Sequence, residues 1–169
     1  QMSRMTAAHS VATLNDTSSS RISTARFLGP IVIGGVGKVT VSRTERDSGA
    51  DGITASHDGY LKRFGLIYER DILVAPSGSE IRGRERFLKP GNPHAPVEGM
   101  AVVRFHIHPA IQIYPATENE ARLVAPDGEA WALTCLDVPV EEEDDVFFAD
   151  PSGVRASRQL TLTMPLGTT

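Results

Sequence analysis

The sequence predicts an all-β chain, an antiparallel multi-stranded β-sandwich of jelly-roll or supersandwich type. Three observations predict it. Apolar and polar residues alternate with period two in several short runs, proline–glycine turn signals separate those runs, and only one segment offers a helical alternative. In chain order, the first strand is expected over Met5 to Leu14, followed by a polar loop from Asn15 to Ser20. Pro30 to Ile33 reads as a short strand. Gly34-Gly35-Val36-Gly37 leads into a strand rather than a helix, so it reads as a turn with no phosphate role. Lys38-Val39-Thr40-Val41-Ser42 alternates cleanly, Glu45 to Gly52 reads as a loop, and Arg63 to Ala75 as a strand. Turns follow at Pro76-Ser77-Gly78 and Pro90-Gly91-Asn92-Pro93, where proline presets φ and glycine allows positive φ.

Met100 to His108 is the next strand. Thr117-Glu118-Asn119-Glu120 has the spacing of a capping box, which would start a helix over Thr117 to Ala125. The rival reading makes Ala121 to Ala125 one arm of a hairpin that turns at Pro126-Asp127-Gly128 and returns through Trp131 and Leu133. Ala130 to Leu136 and Val140 to Ala149 complete the middle of the set. After a turn at Pro151-Ser152-Gly153, Gln159 to Met164 alternates strictly. The acidic run Glu141 to Asp145 fits a solvated edge strand, whose charges block stray pairing; a calcium site is the alternative.

A length of 169 residues suits one domain, 1–169, with room for one core. The net charge of −4 gives no overall attraction to nucleic acid, and no apolar run approaches the ~20 residues of a membrane-spanning helix. The single cysteine, Cys135, can form neither an intramolecular disulfide nor a cysteine-rich zinc site. No export signal is visible in these residues, and the opening Gln1 reads as a remnant or as a cut from a longer chain. The basic stretch Arg82 to Lys89 is the one local attractant for a polyanion, although Glu85 inside it favours a solvated strand face.

Histidines carry the chemical information. Arg104, His106 and His108 share one face of a strand, opposite Val103, Phe105 and Ile107. Two such imidazoles can hydrogen-bond across a sheet, or bind zinc or iron as in a small cupin-like enzyme if further ligands arrive from neighbouring strands. His9 lies among small residues in Thr6-Ala7-Ala8-His9-Ser10. In Ala55-Ser56-His57-Asp58-Gly59-Tyr60, a histidine, a carboxylate and a phenol fall within four positions, so Asp58 could orient the imidazole and Tyr60 exchange a proton. A turn held by local hydrogen bonds explains that cluster equally well. Trp131 alternates with alanines as a core residue does, which leaves few aromatic platforms for a carbohydrate-binding module.

In six segments taken in order, the sequence resembles the C-terminal β-sheet region of heparinase II/III-type polysaccharide lyases. The segments are Thr6 to Ser10 with Asn15 to Ser19, Ala55 to Tyr60, Arg63 to Leu66, Arg104 to Pro109, Gly128 to Trp131 and Arg158 to Leu162. The resemblance implies antiparallel β-sheets that follow an α-helical toroid, with a cleft between them for β-elimination on a uronic-acid-containing, acidic polysaccharide. His57 and Tyr60 match a recurrent motif of the family and are the catalytic candidates; Arg104, His106 and His108 are the substrate-binding candidates, although the resemblance gives the histidine pair no set chemical role and adds weight to its structural reading. It places His9 near a structural divalent metal, usually zinc, whose other ligands lie in a segment upstream of these residues. The implied partners are the upstream toroid or a second copy of the chain, and the implied location is periplasmic if the chain belongs to an exported lyase. Activity of the chain alone is not expected. Tyr68 departs from the family, which often has histidine there, and so does Ser10-Val11-Ala12-Thr13.

Overall fold

The computed structural model describes residues 2–27, 29–45 and 49–167. In chain order its strands are β1 (Ala12–Leu14), β2 (Arg21–Ile22), β3 (Val32–Gly34), β4 (Val39–Glu45), β5 (Asp51–His57), β6 (Ile67–Val74) and β7 (Ile81–Leu88). They continue as β8 (Gly99–Ile107), β9 (Gln112–Thr117), β10 (Glu120–Val124), β11 (Ala130–Thr134), β12 (Glu141–Phe147) and β13 (Arg155–Leu166). One short helix, α1 (Leu61–Phe64), lies between β5 and β6. Strand makes up about 52% of the chain and helix about 6%, every ladder is antiparallel and no sheet closes into a barrel among the described residues, as an all-β sandwich requires.

Two compact units divide the chain, one formed by the residues up to Ser18 with those from Gly99 on, the other by residues 19–98. The first contains the four-stranded sheet β1-β8-β13-β12 and the three-stranded sheet β11-β10-β9. Register in the larger sheet sets Phe105 beside Leu160, Val103 beside Leu162 and Ala101 beside Met164. Period-two alternation therefore collects Ala12, Leu14, Ala101, Val103, Leu160 and Leu162 on one buried apolar face. The opposite face carries Thr13, Arg104, His106, Ser157, Gln159 and Thr161, and of these Thr13, Ser157, Gln159 and Thr161 are also buried. As expected, the acidic run occupies an edge strand, β12. Three of its carboxylates hold neighbours on β13: Glu142 and Asp144 hold Arg158, and Glu143 accepts from Gln159.

Three local expectations change here. The strand anticipated from Met5 begins only at Ala12, because Met2–Arg4 and Thr6–Ala8 wind as 3-10 turns. The Ser18 hydroxyl accepts the Thr6 backbone N–H at 3.1 Å and bonds the Thr6 hydroxyl at 2.8 Å, which gives this segment a partner other than a strand. No helix forms over Thr117 to Ala125. Thr117 instead closes β9 and Glu120 opens β10, and in the two-residue turn between them the Asn119 side chain donates to the Cys135 and Val138 carbonyls, each at 3.0 Å. Gly128 then takes φ +89° in the turn that joins β10 to β11, so the hairpin alternative is the one adopted. Trp131, expected in a core, is 38% exposed.

The second unit holds the meander β4-β5-β6-β7 and the small ribbon β2-β3. The expected strand from Arg63 starts late, at Ile67, because α1 ends at Gly65 in the left-handed region (φ +71°). Asp51 and Gly52, expected in a loop, open β5; residues 46–48 of that loop lie outside the described residues. The basic stretch forms β7 as a strand. Arg86 pairs with Glu69 and Asp71 across one face, while Glu85 turns to the other.

Candidate functional site

In the second unit, β5 ends at His57, and the chain then turns through Asp58 and Gly59 into α1. His57 lies beside Tyr68 in the ladder, with ring centres 5.1 Å apart, and 5.8 Å from the ring of Tyr60. Phe87 packs against both tyrosines, at 5.6 Å from Tyr60 and 5.3 Å from Tyr68. Tyr60 is fully buried, so its ring belongs to this aromatic cluster. Gly59 is dictated by space: a Cβ there would lie 2.8 Å from the Ser19 carbonyl oxygen.

The His57 Nδ1 accepts the Gly59 backbone N–H at 3.1 Å. In the neutral ring the proton is therefore on Nε2, which makes His57 a hydrogen-bond donor there. Burial lowers the pKa of His57, outweighing the opposing charge of Asp58. Asp58 does not orient this imidazole by a hydrogen bond. Its Oδ1 accepts the backbone N–H groups of Gly37 and Lys38, at 2.7 and 2.9 Å, and these hold its carboxyl below the ordinary range. Behind His57, the Tyr68 hydroxyl donates to Glu85, which also binds Arg70 at 2.6 Å. Burial opposes the charge on Arg70, yet its bond and attraction to Glu85 prevail and raise its pKa. This Tyr68–Glu85–Arg70 chain was not legible in the sequence, because it depends on the β6–β7 register.

In the first unit, Arg104 and His106 share one face of β8 as the alternation predicts, whereas His108 follows the end of the strand, its ring 4.9 Å from that of Phe147. Arg104 donates to the Thr13 hydroxyl at 2.7 Å. His106 Nδ1 lies 2.6 Å from Asp145 Oδ2, an oxygen that also accepts from Ser157 at 3.2 Å. Asp145 is the His106 partner that strand alternation missed, since it comes from β12, two strands away across β13. Three buried atoms on this face, His106 Nε2, Gln159 Oε1 and Thr161 Oγ1, have no hydrogen-bond partner among the described residues. His106 and His108 also line a cleft of about 190 Å³ with Ile111, Leu123, Ala125 and Trp131.

His9 is exposed, just after the second 3-10 turn. No group of three His, Cys, Asp or Glu side chains among the described residues is placed to hold a metal. The residues present thus do not fit a complete zinc or other divalent-metal centre, either at His9 or at the His106/His108 pair. No helix among the described residues is long and apolar enough to cross a membrane.

No curated protein and no solved structure matches the chain. A family model described as heparinase II/III-like, C-terminal, matches residues 1–168. With that match spanning both compact units, and with an all-β antiparallel architecture beneath it, the chain belongs to the heparinase II/III-like C-terminal family.

Proposed function

We propose that this chain is the β-sheet part of a lyase that cleaves uronic-acid-containing polysaccharide by β-elimination, and that it is inactive until a helical domain completes the site. The observation that carries this reading is the family match over residues 1–168. β-Elimination needs a base for the C5 proton, an acid for the leaving glycosidic oxygen and a group that neutralises the uronate carboxylate. The described residues offer parts of that set. His57, whose neutral ring carries its proton on Nε2 because Nδ1 accepts from Gly59, serves as a donor to substrate, and the fully buried Tyr60 acts through it as a positioning residue. Arg104 supplies the fixed cation for a carboxylate, with His106 on the same face and His108 just past the end of β8 for the sugar. A metal at His9 would take its remaining ligands from outside the described residues, and no step is assigned to it.

The test is direct. The purified chain should bind uronate oligosaccharides by calorimetry without producing the ultraviolet absorbance of an unsaturated uronate. Arg104→Ala should weaken that binding about tenfold, the scale of a lost hydrogen bond to a charged group. Adding the helical domain of a heparinase II/III-type lyase should restore the absorbance. Turnover by the chain alone, or no binding of any uronate oligosaccharide, overturns the reading.

A further inference from the structure

We infer that the sheet β4-β5-β6-β7 stacks on the same sheet of a second copy of this chain, apolar face to apolar face about a two-fold axis, in a weak and reversible dimer. The inference goes beyond the lyase-domain reading and does not depend on it, because it rests on the two faces of this one sheet.

Register sorts those faces sharply. On one, Ser56, Glu69 and Arg86 stand in a row, and Thr54, Asp71 and Arg84 in the next. The other carries Val39, Val41, Ile53, Ile72, Val74 and Ile81. An antiparallel sheet with one polar and one apolar face is the pattern of a sheet covered on its apolar side. Yet Val39, Val41, Ile53 and Ile81 are between 42% and 63% exposed. Side chains of this kind gathered on one face mark an interaction surface, since covering them releases the water that they order.

Charge selects the partner. Among the described side chains, the charged groups on the apolar face are Arg43, Asp51, Arg70 and Glu85, and each is paired with another of the four: Arg43 with Asp51 and Arg70 with Glu85, both at 2.6 Å. The face is therefore neutral, so a second copy meets no repulsion there although the whole chain carries −4. Stacking also leaves no charge buried alone, because every counter-charge stays within its own copy.

Shape agrees. Valine and isoleucine are stiff at χ1, so little side-chain freedom is lost when they are covered, and two flat faces of such residues pack about 10 Å apart as the layers of a sandwich do. Gly83, in the row of Ile72, leaves a gap in the face, since a Cβ there would find no atom within 4 Å, and a protruding side chain of the opposing copy can enter it. The face offers roughly 500 Å² per copy, so a pair buries about 1,000 Å², which is the lower bound of a specific interface and the range of weak, reversible pairs.

Sedimentation equilibrium of the full chain, from about 5 μM to about 1 mM, tests this. The average mass should climb from 18.2 kDa toward twice that value and level there, half-complete at about 50–500 μM. Val41→Lys, at an exposed position, puts an unpaired charge into the contact and should weaken association about tenfold or more. Thr40→Lys makes the same change of charge on the opposite face of the same strand and should leave association unaltered. Ile81→Thr keeps the β-branched shape and should weaken association about threefold, which decides the matter if Val41→Lys does not fold. A mass fixed at 18.2 kDa up to about 1 mM, growth beyond two copies, or equal association by the Val41→Lys and Thr40→Lys variants overturns the proposal. None of these results bears on uronate binding, so the lyase-domain reading stands or falls separately.

Discussion

The same substitution, threonine to valine, is expected to have opposite signs at two positions on one sheet face. Thr161, on β13, is fully buried, and its Oγ1 has no hydrogen-bond partner among the described residues. A buried hydroxyl without a partner costs about 1–3 kcal/mol, and valine keeps the β-branched shape, so the strand backbone is not penalised. Thr161→Val should therefore stabilise the fold by about 1 kcal/mol, which for a chain of this size is about 2–4 °C in Tm. Thr13, 2% exposed on β1, accepts from Arg104 at 2.7 Å. Its replacement removes a hydrogen bond to a charged group, worth about 1.5–3 kcal/mol; because Arg104 is only half-buried and can turn other N–H groups to water, the lower end applies. Urea unfolding followed by Trp131 fluorescence suits both variants, since Trp131 lies in the same compact unit as Thr13 and Thr161. At unchanged m, the midpoint should rise for Thr161→Val and fall for Thr13→Val. A loss of about 1 kcal/mol in Thr161→Val would mean that the hydroxyl is bonded, as it would be to an ordered water, and would refute the reading of Thr161 Oγ1 as unpartnered.

Two further outcomes concern pH. Asp150 accepts from the hydroxyl and backbone N–H of Ser152 and from Arg155, and these lower its pKa to about 2. Carboxyl NMR should place its midpoint near that value, and Ser152→Ala should raise it; as the folded pKa is depressed, this contribution to stability is complete above the unfolded aspartate pKa and is lost as pH falls through about 2. His57 should titrate below an ordinary histidine, because burial disfavours its charged form. Stability should then decline as pH drops from the unfolded histidine pKa to the lower folded one, and His57→Phe, if it folds, should flatten that part of the profile; a His57 proton signal that titrates above the ordinary value would refute the burial argument.

Period-two alternation along residues 159–164 and 100–108 was enough to predict the strands β13 and β8 and to separate the apolar face from the face of Arg104 and His106, although β8 ends at Ile107, one residue before His108. Local turn chemistry did the same for the Pro126-Asp127-Gly128 hairpin, and six ordered segments sufficed for the family. These features are legible because alternation and turn preference are properties of neighbouring residues, set by backbone sterics. What the tertiary structure decided was which strands lie side by side and in what register. Asp145 meets His106 only because β13 holds β12 two strands from β8, and Glu85 meets Tyr68 and Arg70 only through the β6–β7 register. Trp131 shows the same limit from the other side: its alternation with alanines is that of a buried strand, yet the narrow three-stranded sheet that carries it leaves the indole 38% exposed. A single strand specifies the side on which a side chain stands; its partner, its exposure and its hydrogen bonds are set by what packs across from it.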